Sequence, residues 1–424
     1  MSRGAAPSMR KPCVHATVSD RHGVTALSQI PARRILAAIG DAAQRWRNED
    51  FAPRVRTIDR LAARTGYALP VVEYALDALF DEIDTGALAR VVTRELGGLD
   101  VLDGFVERPG SSPTHASPIG RVCIISSRTT IGVALLPAIF ALLAKCDIVV
   151  KDRADGLLGA FCDTLAQELG EMRDAAQALT WDSDTQVYDL QPFDAVVAFG
   201  GDRALLRIRA ACAPMARFLG FGPMASVGYI TREALRDERS AAVLADGAAR
   251  DAVLYDGEGC LSLHALFAQR GAAVSTARMA ELLAAAFERA VVEFPPGPTP
   301  AAAQARRTAA FRAANAGGAV YAGTNGSWAL VVDPPMDEPP LFLGRILEVR
   351  AVDGPDDMLA YLRRHGLALE AMALPELSPE IAKIALQARV NRVATFGRLQ
   401  RPPLDATHGG RPRIADFIKW VTMA

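Results

Sequence analysis

Lysine is nearly absent from this 424-residue sequence. Only five of its 47 cationic side chains are lysine (Lys11, Lys145, Lys151, Lys383, Lys419), so a lysine at a special place carries information. Cysteine is also sparse. The six cysteines (Cys13, Cys123, Cys146, Cys162, Cys212, Cys260) show no C-x-x-C spacing and several sit inside apolar runs, which argues against a disulfide framework or a zinc site and suits reduced thiols in a cytoplasmic protein. Charge of either sign is not in excess: the net charge is -1, so no global field draws the chain onto nucleic acid or anionic lipid. No metal site is expected. Long hydrophobic runs are missing too. The longest, 131–144, is too short to span a bilayer, contains Pro137 and ends at Lys145, so it reads as a buried helix and no membrane insertion is expected. The basic, polar first 23 residues lack the apolar stretch of a secretory signal, and no export is expected.

What is present is ample core material, 50% hydrophobic against 22% charged residues, enough for two or three domains. Residues 1–30 have no periodicity and read as a loose leader. From 31 to 96 apolar residues recur at helical spacing (Ile35, Leu36, Ile39; Val72, Leu76, Leu79, Phe80), and 97–117 is rich in Gly, Pro and Ser and reads as a connection. An alternation follows: strand 122–126, helix 131–143, strand 147–150, helix 157–169, strand 195–199, helix 203–211 and strand 225–230. Such an alternation implies right-handed crossovers and a mostly parallel sheet, which binds ligands at the carboxyl ends of its strands. We therefore expect N-terminal helices with a nucleotide-binding domain over 31–231, a second α/β catalytic domain over 232–394 and a return segment over 395–424 that ends in an amphipathic helix. The fold class is α/β.

Three short features carry chemistry. In Asp256-Gly257-Glu258-Gly259-Cys260-Leu261-Ser262 a cysteine follows two glycines at a turn, where backbone N–H groups at a helix start would stabilise its thiolate; burial as a small apolar residue is the competing reading. Phe199-Gly200-Gly201-Asp202 lies between a strand and a helix, where glycines let amides approach a pyrophosphate and Asp202 would cap the helix. Lys151 closes the strand 147–150 and points toward a ribose or its phosphate, or else into solvent.

Together with Arg217-Phe218-Leu219-Gly220-Phe221-Gly222 and Arg392-Val393-Ala394-Thr395-Phe396-Gly397-Arg398, these segments resemble the aldehyde dehydrogenase superfamily. Within it the sequence is most similar to the acyl-CoA reductase (LuxC-like, fatty-acid reductase) family, from about residue 100 to the end. The resemblance implies an aldehyde-dehydrogenase-like fold, a Rossmann-type cofactor domain with a parallel sheet plus a second α/β catalytic domain. It implies Cys260 as nucleophile and Lys151, Arg153, Gly200, Gly201, Asp202 and Gly220 at the cofactor. It also implies a homo-oligomer.

Departures from the superfamily pattern shape the expected reaction. Hydrolytic members place a glutamate base near Phe218-Leu219-Gly220, whereas 203–232 contains no Asp or Glu, so an acyl-enzyme should partition to a thiol or to hydride and not to water. The expected reaction is reduction of an acyl-CoA or acyl-carrier-protein thioester to an aldehyde. CoA-independent aldehyde oxidation is disfavoured by the missing base. The oxyanion-hole asparagine is replaced by Ser127-Arg128-Thr129-Thr130, which leaves Arg128 or Thr129 as substitutes. The glutamate that selects NAD is replaced by Ala154 beside Arg153, which favours NADPH, with NADH possible given Asp152 and Asp155. Glu258 stands for the usual glutamine, and Leu341 for the glutamate that holds the nicotinamide ribose. His264 reads first as a packed or surface histidine, and no family role carries over to His408. These losses leave a degenerate binding subunit as the alternative.

Overall fold

Helices formed by the periodic N-terminal stretch open the computed structural model, which describes residues 13–14, 25–127, 130–152, 156–180 and 187–424. They are Ala32–Arg47, Ala52–Thr65, Leu69–Asp81 and Thr85–Leu96; three bury an apolar stripe, and Ala52–Thr65 buries Arg54 and Thr57 beside Leu61. Trp46 stacks on Phe80 at 5.0 Å, and its indole N–H donates to Thr164 Oγ1 at 3.1 Å on the helix Leu157–Glu168. That contact fastens the helices to the flank of the first sheet.

The first sheet has five parallel strands in the order Ala176–Leu179, Asp147–Lys151, Arg121–Ile125, Ala195–Phe199, Arg217–Phe221. Its central strands are continuous apolar runs because helices cover both faces. The chain proceeds to one side of Arg121–Ile125 and later returns to the other, so the crevice at the carboxyl ends of Arg121–Ile125 and Ala195–Phe199 is a topological switch point.

The second sheet has seven strands in the order Ala319–Ala322, Ala329–Val332, Ile346–Val352, Leu263–Gln269, Ala225–Ile230, Leu369–Leu374, Arg392–Thr395, parallel except for the first. Ala225–Ile230, which the alternation groups with the preceding strands, is fully buried inside this sheet. On both sides of Ser226 the ladder takes in an extra residue. Ser226 pairs with Leu263 and Val227 with Ala265, while Ala225 pairs with Leu369 and Ser226 with Ala371. His264 and Glu370 are thus the unpaired residues of two bulges that flank one serine, and a bulge re-aims the side chain it carries.

A third, antiparallel sheet joins Ile418–Thr422, Ser111–Pro118 and Val106–Arg108. It corrects two expectations. The connection 97–117 contains two of these strands, and the expected terminal helix is a single turn, Ala415–Phe417, followed by a strand whose β-branched and aromatic residues pair with Ser111–Pro118. Among the described residues no helix is long and apolar enough to cross a membrane.

Candidate active site

Cys260 lies in the loop that enters the strand Leu263–Gln269. Tyr255, Asp256 and Gly257 all adopt positive φ (52°, 52° and 69°), an uncommon backbone path that needs support. Support comes from Arg345, which is buried and donates through Nε to Asp256 Oδ1 at 2.7 Å and through Nη2 to the carbonyls of Phe294 (2.9 Å) and Pro295 (3.0 Å). A Cβ on Gly257 would lie 2.4 Å from the Arg345 amide nitrogen, so no larger residue fits. After Cys260 the Ser262 N–H closes a turn on the Gly259 carbonyl at 2.9 Å, and the chain enters a strand. The helix start anticipated behind the cysteine is therefore absent, and His264 is a strand residue packed in the interior.

Distant segments clamp this loop. Ser226 Oγ donates to the Cys260 carbonyl at 2.8 Å. Gln400 Nε2 donates to Ser262 Oγ at 2.8 Å and to the Asp251 carbonyl at 3.2 Å, and the Asp251 carboxylate accepts the N–H groups of Gly397 (2.7 Å) and Leu399 (3.1 Å). Burial pushes the Asp251 carboxyl up to about 7, against those bonds and the nearby Arg392.

The thiol of Cys260 is not poised as a ready thiolate. Burial, and after it the negative charge of Glu370, push it up to about 11, with its own amide, Arg392 and the Leu261 amide pulling the other way. Glu370 is 5% exposed, and its oxygens accept Asn391 Nδ2 at 2.9 Å and the Gly409 N–H at 3.3 Å. Arg392 donates to the carbonyls of Leu399 and Arg398, while its buried Nε has no partner. Burial lowers the pKa of this guanidinium, and Asp251, Glu370 and Cys260 in turn raise it. His264 packs edge-on against Phe342 at 5.4 Å, and burial pushes it down to about 4, so it is neutral. Glu258 is exposed.

The nucleotide side starts at the switch point. Lys151 is buried at the carboxyl end of its strand. Gly200 and Gly201 lead into the helix Asp202–Ala211; its N-cap is Gly201, so Asp202 lies in the first turn and does not cap. With no side-chain cap and with open space around Gly201, the first amides of this helix suit a pyrophosphate. Gly220 is exposed on the edge strand, where a Cβ would meet the Phe218 ring at 2.7 Å. At the same ends Phe199 and Phe221 stack at 4.9 Å, and His408 stacks on Phe221 at 4.4 Å. Burial, with Arg413 adding, pushes His408 down to about 3. Arg128, Thr129 and Arg153 lie outside the described residues. Among the described residues no cluster of His, Cys, Asp or Glu could hold a metal ion.

The two halves meet at the cysteine. A Cβ on Gly259 would come within 3.7 Å of Thr130 Oγ1 and 3.8 Å of Gln400 Oε1, so the loop after Arg121–Ile125 reaches the amino ends of the second sheet beside Cys260. A groove of about 760 Å³ at the opposite, carboxyl, end of the second sheet, between Thr231, Arg239, Ser240, Pro375 and Ile381, lies a strand's length away. Ser226, Asp251, Glu370 and Gln400 escaped the reading of the sequence. The available signal was a lone carboxylate inside an apolar stretch, as in Leu369-Glu370-Ala371.

Comparison with known proteins places this arrangement. The family model described as acyl-CoA reductase (LuxC) matches residues 27–420. The long-chain acyl-protein thioester reductase of Aliivibrio fischeri is 26% identical over 231 residues, 52% of this chain and 46% of that protein. Long-chain acyl-protein thioester reductase 2 of Photobacterium leiognathi is 21% identical over 59% of this chain and 54% of its own. The chain thus spans about half the length of the curated relatives it matches. Among solved structures, glyceraldehyde-3-phosphate dehydrogenase GapN from Methanocaldococcus jannaschii, complexed with NADP, superposes with a TM-score of 0.70 at 11% identity, covering 94% of this chain and 90% of that one. An aldehyde dehydrogenase from Mycobacterium tuberculosis, complexed with NAD+, gives 0.64 at 17% identity, covering 92% and 85%. The fold is that of the aldehyde dehydrogenases.

Proposed function

Because the chain belongs to the acyl-CoA reductase (LuxC) family, we propose that it reduces an acyl thioester, carried by CoA or by an acyl-carrier protein, to an aldehyde through an acyl-enzyme on Cys260. The observation that carries this reading is the meeting of a nucleotide-type crevice with a clamped cysteine loop, at Thr130 and Gly259. Cys260 attacks the thioester carbonyl and expels the thiol. The Cys260 N–H, with Arg128 or Thr129, stabilises the oxyanion. A nicotinamide held in the crevice would supply the hydride that takes the Cys260 acyl-enzyme to a thiohemiacetal, from which Cys260 releases the aldehyde. Lys151, Gly200, Gly201, Asp202 and Gly220 hold the nucleotide, and Arg153 in place of an acid favours NADPH over NADH. The absence of Asp and Glu from 203–232 leaves water without a base there. Copies of the chain associate as a homo-oligomer.

Intact-mass measurement without reductant tests this reading. With a panel of acyl-CoA and pantetheine thioesters the protein should gain one acyl mass, mapped to Cys260; Cys260→Ala should gain none, and NADPH should then release aldehyde. The raised thiol favours one second reading, a binding subunit that has lost catalysis. Failure of every thioester to leave an adduct, with Cys260 alkylated no faster than the other cysteines, would establish it instead.

A further inference from the structure

Among the described residues Glu370 makes no contact ion pair; Arg392 and Arg413 act on it only through space. It sits almost fully buried at the edge of the candidate site, and both of its donors, Asn391 Nδ2 and the Gly409 N–H, are neutral. A buried carboxylate held only by neutral donors is costly unless it serves some purpose. Its place is built with care. It is the extra residue of the bulge opposite Ser226, and Ser226 Oγ grips the Cys260 carbonyl at 2.8 Å, so one serine ties the bulge and the cysteine together. Each oxygen accepts one bond and keeps a further lone pair. The thiol faces the complementary problem. It is half-buried and protonated, and among the described residues no imidazole assists it: His264 is turned onto Phe342 and His408 onto Phe221.

We infer that Glu370 is the proton acceptor for Cys260 in acyl transfer, an inference that rests on Cys260 being the nucleophile. The Sγ–H bond breaks and its proton passes to a Glu370 oxygen as Sγ forms its bond to the thioester carbonyl carbon. The carbon–sulfur bond to the leaving thiol then breaks, and the departing thiolate takes the proton back from Glu370, with no change of oxidation state. Glu370 thus acts as a general base whose help does not require the thiol to ionise beforehand. Around the pair, Arg392 and Arg413 are the cations that act on Glu370, Arg413 with its pKa pulled down to about 10 by burial, and His264 and His408 stay neutral. Asp251, pushed up to about 7 by burial, is not altered by substitution at 370, so the diagnostic is the difference between variants.

The test compares wild type, Glu370→Gln and Glu370→Asp by rate of Cys260 acylation at pH 7.5 and by the pH profile of its alkylation with iodoacetamide from pH 5 to 10. Wild type should show a pH-independent plateau of alkylation below the thiol's own ionisation. Glu370→Gln should lose that plateau, keep only a limb rising tenfold per pH unit, and acylate about a hundredfold more slowly; Glu370→Asp should recover part of both. A Glu370→Gln protein that acylates as fast as wild type, or whose alkylation at pH 7 speeds up because a neighbouring negative charge has gone, overturns the assignment. If Gln does not fold, the Asp variant decides: a lowered plateau with slower acylation supports the assignment, and an unchanged profile overturns it. Wild type that is never acylated refutes the thioester reading instead, and the alkylation profiles still decide the role of Glu370.

Discussion

Arg392 and His408 show how single side chains set the chemistry of the candidate site. Arg392 works against Glu370 at the sulfur, pulling the thiol down while the carboxylate and burial push it up. Replacing it by glutamine should slow alkylation of Cys260 at pH 8 about three- to tenfold, because a shift of half to one pKa unit is the usual reach of one partly screened charge. An unchanged rate would mean that the guanidinium does not act on the sulfur. His408 has its pKa depressed to about 3, against 6.5 for an ordinary imidazole, so the unfolded chain binds a proton that the folded one refuses. Its contribution is harmless above about pH 6.5 and costs stability as pH falls from there toward 3, about 2 kcal/mol at pH 5. His408→Phe keeps the stack on Phe221, so the fall in melting temperature between pH 7 and pH 5 should shrink. An equal fall in the variant would place the acid sensitivity elsewhere.

The cysteine loop depends on the 344–345 corner as an element, not on any one bond. Gly257 sits at positive φ with the Arg345 backbone where a Cβ would go, and Arg345 holds Asp256 from within the core. Gly257→Ala should therefore cost several kcal/mol and slow acylation of Cys260, read as a drop in melting temperature together with a lower adduct rate. Normal stability and rate would show that the loop can shift without harm. The same elements show what the sequence could disclose. The alternation from 122 to 211 was legible because parallel strands buried on both faces are continuous apolar runs. The strands Ile346–Val352 and Leu369–Leu374 were not, because each carries charge inward: Glu348 and Arg350 satisfy one another at 2.7 Å within a buried strand, and Glu370 sits on a bulge. Ile418–Thr422 was misread as helix because Ile418 and Val421 fit a 3.6-residue period as well as five residues can, and only pairing with Ser111–Pro118 decides the matter. The cysteine motif was visible as a local pattern, whereas Ser226, Asp251, Glu370 and Gln400 reach it from elements far away in the chain.

For the molecule as a whole, the proposed homo-oligomer has a physical basis in the small antiparallel sheet. Ile418–Thr422 lies at its edge, paired on one side only among the described residues, and Trp420 and Val421 stand 44% and 38% exposed. Trp420→Glu combined with Val421→Lys should reduce the mass found by light scattering to that of one chain; wild type already at that mass would refute the proposed assembly. Gln400 and Ser262, whose bond closes the clamp, are 138 residues apart. A ribosome working at about 5–20 residues per second takes roughly 7 to 28 seconds to cover that distance. Throughout that interval Cys260 is an ordinary thiol ionising near 9, with about a hundredfold more thiolate than the finished fold allows. Oxidants act on the thiolate, so this sulfur is most vulnerable while the chain is still being made, before the site that uses it exists.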